Sequence, residues 1–433
     1  MMKTILVFGA GKSSTILIDY LISSATENNW SVIIADANEE QILTKTNGSP
    51  LARTIETDIQ NDIERAAWIQ LADIVISLMP PHLHFLIAKD CVQFNKNLLT
   101  ASYADDQLKE LEREIKKKGL LFICELGLDP GIDHMSAMQR IDGIKREGGK
   151  ILSFKSHCGG LVAPESDDNP WRYKISWNPR NVVMAGKSGA IYKMDNTIVK
   201  EDHKQLFATE RSIQFPGSDS YRIGSLSFYP NRNSLDYIEL YELEGIETFM
   251  RTTLRYPEFM HGWNEVIQLK LTDETKEYET DELSIKDFFT QHFIKHRLTP
   301  SSSKQLLYLG LDDDKTLINK GFCSAADVLQ FILETKLILL PSDKDMIAML
   351  HEIGYQKDGK KHELQSSLIV KGEDNIRTAM AKTVGLPLGI AVKLILNKSI
   401  TMTGLHIPII KEIYEPILAE LKKHGIEFTD HRK

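Results

Sequence analysis

The stretch that most constrains this chain is Gly9-Ala10-Gly11-Lys12-Ser13-Ser14, because of what stands on either side of it. Thr4 to Phe8 is a short apolar run with strand character. Thr15 to Ser23 carries apolar residues at helical spacing, and Ser31 to Ala35 is a second apolar run that ends on Asp36. The order is strand, glycine turn, helix, strand, acid. In such an arrangement the first glycine permits the tight turn and the second lets backbone approach a pyrophosphate. The helix behind them offers unpaired N–H groups and a positive dipole end to phosphate charge. Ser14 stands at the third glycine position and is small enough for helix and strand to pack. From Ser14 to Asp36 is 22 positions, near the roughly 20 of the dinucleotide-binding fingerprint, whose acid bonds the adenine ribose hydroxyls. Gly9, Gly11, Lys12, Ser13, Ser14 and Asp36 are thus cofactor-binding candidates.

Asp36 also bears on which dinucleotide is held. A carboxylate there repels a ribose 2′-phosphate, and Ala37, Asn38 and Glu39 supply no arginine to receive one. The expectation is NAD in preference to NADP.

The strand and helix alternation continues past Asp36. Thr54 to Asp58 reads as a third strand, Asp73 to Leu78 as a fourth, Asn97 to Ala101 as a fifth and Leu120 to Glu125 as a sixth, with helical spacing between them. This implies a parallel, doubly wound sheet of the Rossmann type over residues 1–127. Loops at the carboxyl ends of such strands line the cofactor crevice, which makes Asp58 a candidate adenine contact and Leu78 and Pro80 candidates on the nicotinamide side.

Beyond Gly127 the character changes. A turn-rich loop, GLDPGIDH, leads into a helix over Asp133 to Lys145, and residues to Arg255 hold short alternating segments such as ILSFKSHCGG, SGAIYKM, YRIGSLSFY and LDYIELYEL. These predict a second, α+β domain on a mixed sheet, residues 128–258 with about 356–389. Residues 259–355 turn helical and predict a small helical subdomain. A helical stretch from Asp374 to Asn397 is expected to break at Gly385-Leu386-Pro387, and about 390–433 is expected to return to the first domain.

A net charge of −8 with no basic stripe interleaved with aromatics argues against a nucleic-acid partner. No stretch approaches 18 uninterrupted apolar residues, so no membrane partner is expected either. Cys91, Cys124, Cys158 and Cys323 are scattered, without metal-ligand or disulfide spacing, and no signal peptide precedes the first strand. The reading is a cytoplasmic protein with a small-molecule partner and no metal, a homodimer being the assembly considered.

Three loops carry groups suited to chemistry. Thr100-Ala101-Ser102-Tyr103 follows a strand end, where ordinary turn chemistry is the stronger reading of the loop taken alone. Asp129 precedes Pro130, where a turn-initiating carboxylate is also expected. His157-Cys158-Gly159-Gly160 brings two glycines after a strand, which lets backbone N–H groups converge on an anion. Arg232, Arg251 and Arg255 suit bidentate capture of carboxylates, against the competing reading of structural ion pairs.

Together these segments resemble the saccharopine dehydrogenase family of the glutamate-forming type, also called saccharopine reductase. The matching stretches are GAGKSS, DIVISLMP, LLTASYADDQLKELE, ELGLDPGIDHMSA, SFKSHCGGLVAPE, NPWRYKISWNPRNVV and FMRTTLRYPEF, in the family's order. The resemblance implies hydride transfer from the carbon bearing the secondary amine of saccharopine to a nicotinamide dinucleotide. Water then attacks the imine, giving glutamate and 2-aminoadipate 6-semialdehyde, or the reverse. It implies catalytic roles for Asp129, Tyr103 and Cys158, and a substrate site lined by Ser102, Gly159, Gly160, Arg232, Thr253 and Arg255, with Arg232 as a carboxylate clamp. Thr252 stands where the family usually has glycine.

Two other readings share some of these features. A carboxynorspermidine or other opine-type reductase performs the same hydride transfer on a substrate with fewer carboxylates. A dinucleotide-binding sensor or scaffold without turnover needs only the first forty residues and neither the Asp129 loop nor the Cys158 segment.

Overall fold

The computed structural model describes residues 2–298 and 303–432, in two compact units. The first comprises Met1–Gly148 and Ile376–Phe428, the second Gly149–Asn375 and Thr429–Lys433.

In the first unit, Lys3–Phe8 forms β1, Trp30–Asp36 β2, Ala52–Glu56 β3, Ile74–Ser77 β4, Asn97–Thr100 β5 and Leu121–Ile123 β6. All pair in parallel in the order β6-β5-β4-β1-β2-β3, and Gly404–His406 adds a seventh strand beyond β6. Ile5, Leu6 and Val7 of β1 and Ile74, Val75 and Ile76 of β4 are fully buried. Such unbroken apolar runs are what a sheet covered on both faces requires. Helices α1 (Thr15–Asn28), α2 (Glu39–Thr46), α3 (Asp62–Leu71) and α4 (His84–Gln93) connect the strands. The strand order reverses between β1 and β4, which puts the crevice of a doubly wound sheet at the carboxyl ends of those two strands.

The first unit extends past residue 127 to Gly148, because helix Ile132–Arg146 packs within it on helix Lys411–Lys423. Tyr414 Oη donates to Asp142 Oδ2 across that contact at 2.6 Å. The chain returns at Ile376 and not near 390. Helix Ala379–Leu396 is continuous through Pro387, where a break was predicted. Close packing on α1 holds it: a Cβ at Gly385 would lie 2.7 Å from the Leu17 nitrogen, and one at Gly389 2.6 Å from the Tyr20 ring. Two long helices approach this closely only over glycine. The helix is long and apolar enough to cross a bilayer, but 72% of it is buried inside the protein.

The second unit is built on a ten-stranded mixed sheet. Its spine runs Ser212–Gln214, Ser225–Pro230, Thr248–Arg255, β7 (Lys150–Val162), Asp345–Lys357, Lys360–Lys371 and Thr429–Arg432. Three expectations fail here. LDYIELYEL contains a short helix, Asp236–Leu240; its Tyr237 and the Tyr241 that follows it, four residues apart, are both buried. The region predicted as a helical subdomain, 259–355, does contain helices Pro257–Gln268, Ile285–His296 and Ala325–Lys336, around one apolar cluster with Trp171 and Trp263. It ends, however, in the strand Asp345–Lys357, which pairs with β7 over most of its length. Its first seven residues are all buried, so the alternation that marks a half-exposed strand is missing. The final strand, Thr429–Arg432, likewise joins this sheet and not the first unit.

Candidate active site

In the first unit the glycine turn is dictated twice over. Gly9 has φ +106°, and a Cβ there would meet the Leu78 carbonyl oxygen at 3.0 Å. The β1 and β4 ends are therefore in close approach, with Leu78 half-buried and Pro80 exposed at the start of the next turn. A Cβ on Gly11 would meet nothing within 4 Å, so the backbone is open to a ligand at the position where a pyrophosphate approaches. Ser14 is buried, and its hydroxyl donates to the Gly11 carbonyl at 2.8 Å. No side chain caps α1 or the tight helical turn Lys12–Ser14 that runs into it, which leaves the N–H groups at the start of that turn for an anion. These residues fit a dinucleotide.

Asp36 is engaged locally. Its Oδ2 accepts the Ala10 N–H at 2.7 Å and its Oδ1 the Asn38 N–H at 3.0 Å. The carboxylate braces the glycine turn against the end of β2. Two cations flank the helix start: Lys12 lies in the turn, and the Lys45 amine reaches Thr15 Oγ1 from α2. Burial, and then the neighbouring Lys12 charge, lower the Lys45 pKa, an arrangement that an added phosphate would relieve. Asp58 is exposed, and its Oδ1 accepts the Gln60 N–H at 2.9 Å, the geometry of a turn former.

Ser102 and Tyr103 lie on a loop that is joined by backbone hydrogen bonds to the start of the segment carrying Asp129. The Leu126 N–H donates to Thr100 O at 3.0 Å and the Glu125 N–H to Ser102 O at 2.9 Å. The 127–133 loop doubles back so tightly that a Cβ on Gly131, at φ +145°, would fall 2.1 Å from the Gly127 carbonyl oxygen. Gly127 N–H donates to Pro130 O, Ile132 N–H to Gly127 O and Asp133 N–H to Leu128 O, all at 2.9 to 3.0 Å. Asp133, buried, accepts the Gly131 N–H at 2.6 Å. Behind the loop, His134 Nε2 and Glu125 Oε2 pair at 2.9 Å, both buried. Asp129 itself is half-buried, as is Tyr103.

One group escapes a reading from sequence. His84 opens α4 and joins Ser77 Oγ to its Nδ1 and Ser102 Oγ to its Nε2, each at 2.7 Å. Burial lowers its pKa to about 4, against the pull of Asp105, with His82 adding to the fall. The only hint in the sequence is a histidine where a helix begins after a strand end, which resembles any core histidine.

In the second unit Cys158 is buried in β7, in register with Thr253 and Met349. Gly159 is required there, since a Cβ would meet the Leu254 carbonyl oxygen at 2.6 Å. Thr252 bonds His157 Nδ1 at 2.7 Å through its Oγ1. Alternation along the strand turns it to the face opposite Thr253 and Cys158. Arg232 is exposed, at φ +54°. Arg255, the further arginine expected at the substrate, lies beside the Gly160 segment. It is buried, donates through Nη1 to Leu254 O at 2.8 Å and Gly160 O at 3.4 Å, and lies over the Tyr173 and Phe259 rings. Its geometry is that of a brace for the Gly160 segment.

Residues 5–123 match the saccharopine dehydrogenase NADP binding domain and residues 127–426 the saccharopine dehydrogenase C-terminal domain. The chain is 33% identical over 452 residues to saccharopine dehydrogenase [NADP(+), L-glutamate-forming] of Saccharomyces cerevisiae, covering 98% of each. It is 34% identical over 451 residues to the mitochondrial alpha-aminoadipic semialdehyde synthase of Mus musculus, covering 99% of this chain and 47% of the relative. The chain thus spans about half the length of such synthases. The solved apo structure of the yeast saccharopine dehydrogenase (L-Glu forming) aligns over 100% of both chains, with a TM-score of 0.84 and 30% identity.

These findings overturn the expectation of NAD. The matched N-terminal domain is described as NADP binding, and the fungal relatives are named as NADP(+) enzymes. The physical reason is that the Asp36 carboxylate accepts two hydrogen bonds, from the Ala10 and Asn38 N–H groups: an acid at this position serves the turn and need not report on the ribose. The fold, the two domain matches spanning nearly the whole chain and the full-length yeast likeness lead to one conclusion: the chain belongs to the saccharopine dehydrogenase family.

Proposed function

We propose that this chain is an NADP-dependent oxidoreductase acting on the secondary amine of saccharopine, giving glutamate and 2-aminoadipate 6-semialdehyde, or the reverse, in lysine metabolism. The relatives matched over nearly their full length, fungal saccharopine dehydrogenases of the NADP(+), L-glutamate-forming type, support this reading. The observation that carries it is the stitching of the Asp129 loop to the Ser102–Tyr103 strand end, at the carboxyl edge of a nucleotide-binding sheet.

Gly9, Gly11 and the N-terminus of α1 would hold the pyrophosphate, with Leu78 and Pro80 toward the nicotinamide side and Lys12 and Lys45 supplying positive charge for the extra phosphate. When bound, the nicotinamide accepts or returns the hydride. Asp129 takes the amine proton before hydride leaves and passes it to solvent; the carboxylate then takes the proton of the water that adds to the imine and gives that proton to the departing glutamate nitrogen. Tyr103 and Cys158 orient substrate and water. Ser102, Gly159, Gly160 and Thr253 line the substrate and Arg232 clamps a carboxylate, while Arg255 holds the Gly160 backbone. Four free, buried cysteines suit a reducing compartment and support a cytoplasmic location.

Asp129→Ala tests the assignment in single-turnover experiments. A loss of about a hundredfold or more in the chemical step, with NADPH affinity retained, is expected of a general acid/base. An unchanged rate removes Asp129 from the chemistry.

A further inference from the structure

We infer that His84 is a positioning residue that fixes Ser102 as a hydrogen-bond donor toward a carboxylate oxygen of the substrate. The inference rests on the function proposed above for what the serine meets, but not for how it is held.

A neutral imidazole has one N–H and one lone pair, so of the two serines bonded to His84 one donates to it and the other accepts from it. Ser77 lies at the end of β4, fully buried, and among the described residues its hydroxyl has no other hydrogen-bond partner. Were it to accept from Nδ1, its own O–H would be left without an acceptor in a fully buried position, which is costly. Ser77 therefore donates to Nδ1, the ring proton sits on Nε2, and Ser102 Oγ accepts it.

The consequence falls on Ser102. With its oxygen receiving from His84, its own O–H points onward and recognises an acceptor. Its backbone is already held at both ends, N–H to Thr100 Oγ1 at 3.1 Å and carbonyl from the Glu125 N–H. Ser77 and Thr100 are register partners in β4 and β5, so one imidazole ties two adjacent strand ends to the substrate-side serine. The chain Ser102–His84–Ser77 ends on a fully buried hydroxyl. A path that leads nowhere does not carry protons to solvent, and orientation is the role left to it. The position of His84 at the positive end of α4 adds to burial in keeping the ring uncharged.

Two measurements on the full chain test this. In protein labelled with nitrogen-15 histidine, at neutral pH and without substrate, the long-range spectrum should show His84 with Nε2 protonated and Nδ1 bare, the signal being assigned by its loss in His84→Gln. The opposite tautomer, or a charged ring, overturns the inference whether or not saccharopine is the substrate. In steady-state kinetics with saccharopine and NADP+, His84→Leu should raise the KM for saccharopine about tenfold, the worth of one hydrogen bond to a charged group. The kcat and the NADPH Kd should stay near wild type, Ser102→Ala should add nothing further in the double variant, and His84→Gln, which can donate and accept, should restore most of the loss. Multiplicative effects of the two substitutions, or a fall in kcat alone, contradict it. If wild-type protein does not turn saccharopine over, the proposed function fails while the tautomer result still decides the role of His84; the same spectrum decides if His84→Leu does not fold.

Discussion

The Asp36 carboxylate accepts the Ala10 N–H at 2.7 Å, tying the end of β2 to the middle of the glycine turn. The acid that would ordinarily be read as a ribose ligand is thus part of the turn's scaffold. Asp36→Ala is expected to weaken NADPH and NADH alike and to lower stability by about 1–3 kcal/mol, the cost of leaving a backbone donor of a charged hydrogen bond unmade. Fluorescence titrations and thermal unfolding check this. A variant that gains NADPH affinity while losing only NADH contradicts it.

Phosphate recognition is assigned instead to the cations beside α1. Lys12→Ala and Lys45→Met should each weaken NADPH about tenfold while NADH changes little, one charge-assisted contact being lost in each. The effect should shrink as salt rises. Equal losses for both dinucleotides would place these lysines on the shared pyrophosphate and not on the additional phosphate.

Gly131 admits no side chain. With φ +145° and a Cβ position 2.1 Å from the Gly127 carbonyl oxygen, Gly131→Ala should cost about 3 kcal/mol or more or prevent folding of the first unit. Denaturant unfolding measures it, and a shift under 1 kcal/mol contradicts the described loop.

The pH dependence of stability carries a signature of His84. Its pKa is about 4 in the folded chain against about 6.5 unfolded. Below pH 6.5 the unfolded chain takes up a proton that the folded chain refuses, so this contribution is complete above that value and is lost as pH falls toward 4. The loss amounts to about 3 kcal/mol at most. His84→Gln should flatten the unfolding profile between pH 4 and 6.5, whereas an identical slope in the variant would mean that the ring titrates normally.

Much of the first unit is legible in the sequence because its strands are unbroken apolar runs and its turn is spelled by Gly9 and Gly11. The long strand Asp345–Lys357 is not, since burial on both faces erases its alternation; the sign that marks it is Asp358-Gly359, a hairpin turn with both residues at positive φ. Pro387 misleads because glycine packing on α1 outweighs a local helix breaker. At the site, Asp129 is visible as a loop carboxylate, but the pairing of His84 with Ser77 and Ser102 joins residues spread over 25 positions by tertiary contact alone. Cofactor choice is illegible from Asp36 for a related reason: a carboxylate at a turn serves either backbone or ligand, and only its partners distinguish the two.

The central claim meets its most direct test when purified protein is mixed with saccharopine and NADP+ and the absorbance of reduced nicotinamide is followed together with released glutamate. The account predicts NADPH and glutamate formed in equal amounts, dependent on saccharopine and favoured by NADP+ over NAD+. No reduction of NADP+ on addition of saccharopine would contradict it.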